Sequence, residues 1–198
     1  ERVASLFVTK TVYAMALALA VGVARLPFPF FPRHLTIVSS LTIGIPAFFL
    51  ALAPNERRAV PGFTARVLRF AVPAGLVAAG ATFAGYALAR SEDGVPLAQA
   101  RTAATITLFL VALEVLFILA RPLSRPRTLL LAAMPAAFGL VLVLPATRTF
   151  FALDLPPVIV LMAVVGVGAV ANALLEAGWQ SARAARQSLE RHRHRSSC

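Results

Sequence analysis

The chain has 198 residues, 59% of them hydrophobic and only 14% charged, and its mean hydropathy is +0.81. That balance excludes a water-soluble domain, which has no interior large enough to hide so much apolar surface. The net charge of +11 does not restore a nucleic-acid reading: the arginines stand in short clusters between apolar runs and carry no interleaved aromatic platform.

A helical span needs roughly 20 mostly apolar residues to cross a hydrocarbon core of about 30 Å. Taken in chain order, such runs are predicted near residues 3–24, 34–53, 68–89, 102–120, 128–146 and 157–178. The expected fold class is therefore all-α, a polytopic transmembrane bundle of six helices. Residues 1–178 form the predicted membrane domain and 179–198 a basic cytoplasmic tail. The first connection is punctuated by Pro27, Pro29 and Pro32, and no connection is long enough for a soluble insertion.

Lysine and arginine accumulate in loops left on the cytoplasmic side. One set of connections and ends holds thirteen arginines, among them Arg57, Arg58, Arg66, Arg69, Arg121 and the five of the tail. The other set holds five: Arg25, Arg33, Arg90, Arg101 and Arg148. The expected localisation is thus a multi-pass plasma-membrane protein with both termini cytoplasmic. Cys198 stands alone, which excludes an internal disulfide framework or a zinc cluster.

Ionisable residues inside a span are costly and are functional candidates by default. Lys10 lies about two turns into the first span, and snorkelling to the interface is the alternative to an interior role. The second span carries Ser39, Ser40, Thr42, Gly44 and Pro46. The proline deprives a carbonyl one turn earlier of its donor, so this helix is predicted to kink or unwind. Freed carbonyls beside hydroxyls offer hard oxygen ligands, and a plain proline kink with Ser/Thr back-bonding is the alternative. Glu114 stands alone amid Leu108–Leu113 and Val115–Ala120 and needs a partner within the bundle. It is read either as a protonated carboxyl hydrogen-bonded to a neighbouring helix or as a cation ligand or relay. Glu176 is expected at the interface, Asn172 as inter-helix glue, and the RHRHR run of the tail against anionic lipid.

Two stretches carry a family resemblance. ERVASLFVTKTVYA resembles the fifth membrane helix of P-type cation-transporting ATPases, and LTIVSSLTIGIPAFFLALAPN resembles the broken ion-site helix that follows it. In calcium pumps that helix carries Asn-x-x-Thr-Asp-Gly-x-Pro. Here Thr42, Gly44 and Pro46 match, while Ser39 stands for the asparagine and Ile43 for the aspartate. Thr11 and Ala14 stand where the preceding helix would hold an Asn and a Glu ligand, and Glu114 falls where calcium pumps place an acid on their eighth helix.

The resemblance implies the ion-translocation domain of an ATP-driven pump for calcium or another metal cation. Ser39, Thr42, Glu114 and Thr11 are its candidate ion ligands, Lys10 a charge partner or built-in cation, and Gly44 and Pro46 the helix break. The family's phosphorylated Asp-Lys-Thr-Gly loop, its Thr-Gly-Asp-type loop and its Asp-rich hinge motif are absent from these 198 residues. No catalytic residue or cofactor is therefore expected in this chain, and ATP and Mg²⁺ are implied for a parent protein. Its start, Glu1-Arg-Val-Ala-Ser, reads as a piece of a longer chain. The expected partners are the lipid bilayer, the transported cation and the parent's cytoplasmic domains, with no nucleic acid. Alternatives are a stand-alone six-helix permease or a membrane anchor subunit.

Overall fold

The computed structural model describes residues 2–52 and 62–196, the stretch 185–196 as helix only. Arg57, Arg58 and Cys198 lie outside the described residues, as do the side chains of Arg186, Arg191, His192, Arg193, His194 and Arg195.

Every regular element among the described residues is helical, as the bilayer demands of backbone that has no water to bond. In chain order these are α1 (Arg2–Val23), α2 (Pro32–Ser39), a π-helical turn (Ser40–Gly44), α3 (Ile45–Ala51), α4 (Phe63–Ser91), α5 (Leu97–Ala120), α6 (Arg125–Val143), α7 (Pro145–Phe151) and α8 (Val158–Ser196). Six stretches are long and apolar enough to cross a membrane: α1, the composite Pro32–Ala51, α4, α5, α6 and residues Val158–Ala184 of α8. All six predicted spans are present. Three features were not anticipated. α4 starts a turn early at Phe63, α7 occupies the first half of the last connection, and α8 runs unbroken past Gly178 into the stretch assigned to the tail.

Helix α5 is the hub, packed on by α4, α8, α6 and the broken span. Its Ala100, Ala103, Leu108, Val111 and Leu116 are fully buried. Met15 and Leu19 of α1, Leu129 of α6 and Met162 of α8 point outward, two-thirds or more exposed, where lipid would meet them. Phe109 of α5 stacks on Phe138 of α6 with centroids 4.0 Å apart.

Lipid is as apolar as leucine, so contact between membrane helices depends on how closely the backbones approach. α4 supplies the means with a buried small-residue face: Ala74, Gly75, Ala78, Ala81, Thr82, Gly85 and Ala89. A Cβ on Gly75 would sit 2.6 Å from the Val12 side chain and 3.0 Å from the Thr9 carbonyl oxygen of α1, and one on Gly85 would strike Thr107 of α5. Gly75→Val should therefore push α1 off α4. The expected loss is about 1–3 kcal/mol, or roughly 5 °C in the thermal unfolding of the purified chain in detergent; an unmoved transition would mean the two helices do not touch there.

At one end of the bundle lie Arg2, Arg66, Arg69, Arg121 and Arg183, here called the basic end. The far end is tied by side chains reaching into the proline-rich first connection. The Tyr86 hydroxyl donates to the Pro27 carbonyl at 2.8 Å. Arg101 Nε donates to the Phe28 carbonyl at 3.1 Å while its guanidinium lies 4.2 Å from the Phe31 ring centroid.

Candidate cation site

The second span breaks where Pro46 predicts. Ile45 N–H donates to the Ser40 carbonyl, five residues back, instead of to Leu41 four back. Pro46 has no N–H and cannot serve Leu41 in its place. The Leu41 carbonyl thus loses both of its helical donors, and Pro46 likewise cannot serve the Thr42 carbonyl one α-turn before it.

Opposite the break stands α1. Its buried face repeats every four residues through Ser5, Thr9, Tyr13, Leu17 and Val21. The Tyr13 hydroxyl faces the Ser39 hydroxyl, and beyond that mutual contact neither buried oxygen has a partner among the described residues. The Thr9 hydroxyl, one turn along the same face as Tyr13, is also buried and unpartnered. Buried polar groups almost always find a partner, so the Tyr13 and Ser39 hydroxyls, with none beyond each other, and the carbonyl released two residues after Ser39 together mark a place where oxygen ligands are available. The donors are uncharged and hard, the kind that suits an alkali or alkaline-earth cation better than a soft metal. Among the described residues no group of three or more His, Cys, Asp or Glu gathers anywhere.

The sequence-predicted residues divide. Ser39 sits at the site facing Tyr13, and Gly44 and Pro46 form the break. Thr42 is buried, with its hydroxyl donating back to the Val38 carbonyl at 2.8 Å, which leaves its oxygen lone pairs available. Thr11 is exposed on the opposite side of α1, donating to the Phe7 carbonyl at 3.1 Å, and is not brought together with Ser39. Lys10 is half-buried and makes no ion pair with Glu114. Thr9 and Tyr13 escaped the sequence reading; the signal that would have found them is the i, i+4 hydroxyl stripe from Ser5 to Tyr13.

Glu114 belongs to a second polar group between α5 and α8. Asn172 reaches the Leu110 carbonyl, one turn before Glu114, at 3.5 Å, while its own Oδ1 is buried and unpartnered. Glu176, one turn after Asn172, and Arg121 are the charged neighbours of Glu114. Arg121 grips Glu176 through both terminal nitrogens, at 2.9 and 3.0 Å. Its guanidinium lies 4.7 Å from the ring centroids of both Phe117 and Trp179, and its backbone carbonyl accepts from Arg2 at 2.9 Å. Neither Ser39 nor Thr42 hydrogen-bonds to Glu114.

The chain is similar to proteins named calcium-transporting ATPase CtpE. It is 43% identical over 192 residues to that of Mycolicibacterium smegmatis, and 45% identical over 192 residues to those of Mycobacterium bovis and Mycobacterium tuberculosis. In each case the match covers 90% of this chain and 24% of the relative, so the chain spans about a quarter of the length of the curated relatives it matches. No family model and no solved structure matches it.

Proposed function

We propose, from the premise that this chain is homologous to the membrane part of the P-type calcium-transporting ATPase CtpE, that it forms the cation pathway of an ATP-driven pump. What supports the reading is the π-helical break, which releases the Leu41 carbonyl two residues after Ser39, whose buried hydroxyl faces that of Tyr13 with no other partner. A calcium ion, the cargo named in the relatives, takes six to eight oxygen ligands. Ser39, Tyr13, Thr42 and the Leu41 carbonyl supply uncharged ones, with Thr9 one turn away. Negative charge comes from Glu114 or from helices outside this chain. Thr11 is at most a flanking group. Lys10, three residues before Tyr13 on the same helix, places a fixed positive charge near the pathway and limits how many cations it holds at once.

Phosphoryl transfer from ATP with Mg²⁺ belongs in this reading to parts of the pump outside the chain. The proline-broken span is the movable element through which that chemistry switches ion access. The basic end, by the positive-inside argument, faces the cytoplasm, in the plasma membrane.

The test is calcium-dependent transport into inverted vesicles by a full-length pump carrying this chain. Ser39→Ala should raise the half-saturating calcium concentration about tenfold, the value of one good oxygen ligand. Glu114→Gln should lower maximal turnover or change ion preference. Unchanged calcium dependence in both variants would remove the assignment.

A further inference from the structure

At the basic end, α1, α4, α5 and α8 part and leave a crevice of about 750 Å³. It extends along α4 from Arg66 to Val77 and along α8 from Leu174 to Arg183, a length of about 15 Å at 1.5 Å per residue. Its chemistry changes with depth. Arg2, Arg66, Arg69, Arg121 and Arg183 line the mouth; Val77, Leu119, Leu174 and Leu175 line the deeper part; among the described residues no acidic one lines it. The charge of Arg121 is met by Glu176. Arg69 is exposed, and Arg183 lies over the Trp179 ring with 5.1 Å to its centroid; neither makes an ion pair among the described residues.

We propose that this crevice is a binding site for one anionic phospholipid, its phosphate between Arg69 and Arg183 and its upper acyl chains against the apolar wall. Charge complementarity selects the occupant. A free phosphate would gain nothing from the leucines and valine below, and a zwitterionic lipid would bring no net charge to the arginines. A molecule with a net negative head and a hydrocarbon tail satisfies both ends at once. Trp179 lines the crevice beside Arg183, and an amphipathic ring of this kind favours the headgroup level of a bilayer. Basic pockets between membrane helices bind anionic headgroups on the same grounds. The inference does not depend on the cation site.

Trp179 is the only tryptophan of the chain and lines the crevice, so it reports occupancy directly. The purified chain would be placed in phosphatidylcholine nanodiscs containing a small fraction of lipid with brominated acyl chains, which quench nearby tryptophan. Brominated phosphatidylglycerol should quench Trp179 well beyond the same fraction of brominated phosphatidylcholine. The double variant R69Q/R183Q should weaken the apparent affinity for phosphatidylglycerol roughly 30-fold, since each basic residue near a membrane surface contributes about a factor of five. Both side chains are exposed, and because Arg183 lies over the Trp179 ring, quenching in each variant is measured against that variant's own fluorescence without brominated lipid. An equal-charge control in the tail, R193Q/R195Q, should keep the excess quenching. Equal quenching by the two lipids, an undiminished excess in R69Q/R183Q, or the same loss in the tail control would each overturn the proposal. Relief of the excess by inorganic phosphate would overturn it as well, by making the site a free-anion site.

Discussion

A full-length pump carrying Pro46→Ala should fold at least as well as the wild type and fail to respond to calcium. Alanine supplies the N–H that proline lacks, and a proline inside a helix costs about 3 kcal/mol relative to alanine. With that donor present the π-helical turn at Ser40–Gly44 loses its local cause, and the span can relax toward a continuous α-helix. Two things then happen to the site. The Leu41 carbonyl recovers a helical donor and is withdrawn as a ligand. Removing the extra residue of a π turn also rotates everything before it by about 100° against everything after it, which turns Ser39 away from the Tyr13 hydroxyl it now faces. Loss of one ligand and displacement of a second should raise the half-saturating calcium concentration on the order of a hundredfold. The measurement pairs calcium-dependent transport with thermal unfolding. Weakened calcium response at equal or higher stability is the expected pair; an unchanged calcium response, or a transport loss that merely tracks a loss of stability, would refute the role of the break.

How much of this was legible in the sequence follows from what a membrane constrains. The six spans were readable because a bilayer demands about 20 apolar residues per crossing, and the runs are separated by arginine and proline. The break was readable because Pro46 removes a hydrogen bond wherever it stands. Which face of each span is buried was not readable from hydropathy, since lipid-facing and protein-facing positions are equally apolar. Lys10 is conspicuous on α1 as a charge within a span and Thr11 follows from the family resemblance, while the buried hydroxyl oxygens facing the bundle include those of Thr9 and Tyr13. The register of the π turn was equally hidden, because proline says that a donor is missing and not how the neighbouring N–H groups rearrange. Helix α7 was missed for a simpler reason: seven residues containing Thr147, Arg148 and Thr149 resemble a polar loop unless Pro145 is read as a first helical residue. Glu114 stands out in the sequence as a lone acid in an apolar run, yet its charged neighbours, Arg121 and Glu176, are brought to it by the packing of α8 on α5, a tertiary fact no local pattern carries.

The largest expected effect on folding is at a residue the sequence offered only as the edge of a span. His34→Ala should destabilise the chain by about 3–5 kcal/mol, a fall on the order of 10 °C in its unfolding temperature. His34 is fully buried at the far end, and both ring nitrogens are engaged. Nδ1 accepts from the Phe31 N–H at 3.3 Å, closing the start of α2, and Nε2 stands 3.1 Å from the Ala152 carbonyl after α7. Since Nδ1 accepts, the proton sits on Nε2, which donates to Ala152 and so fixes the tautomer. Alanine would leave the part-buried Phe31 N–H and Ala152 carbonyl unmet, each costing about 1 kcal/mol or more, and would open a cavity beneath the Phe31 ring, whose centroid lies 5.4 Å from the imidazole. The ring also joins the broken span to the segment leading into α8, so its loss should loosen the far end of α2 without touching Tyr13 or Ser39. Hydrogen exchange separates these regions: the Phe31 amide should exchange faster in the variant, while amides of α1 around Tyr13 keep their protection. A variant with wild-type unfolding temperature would show that His34 fills space and holds nothing.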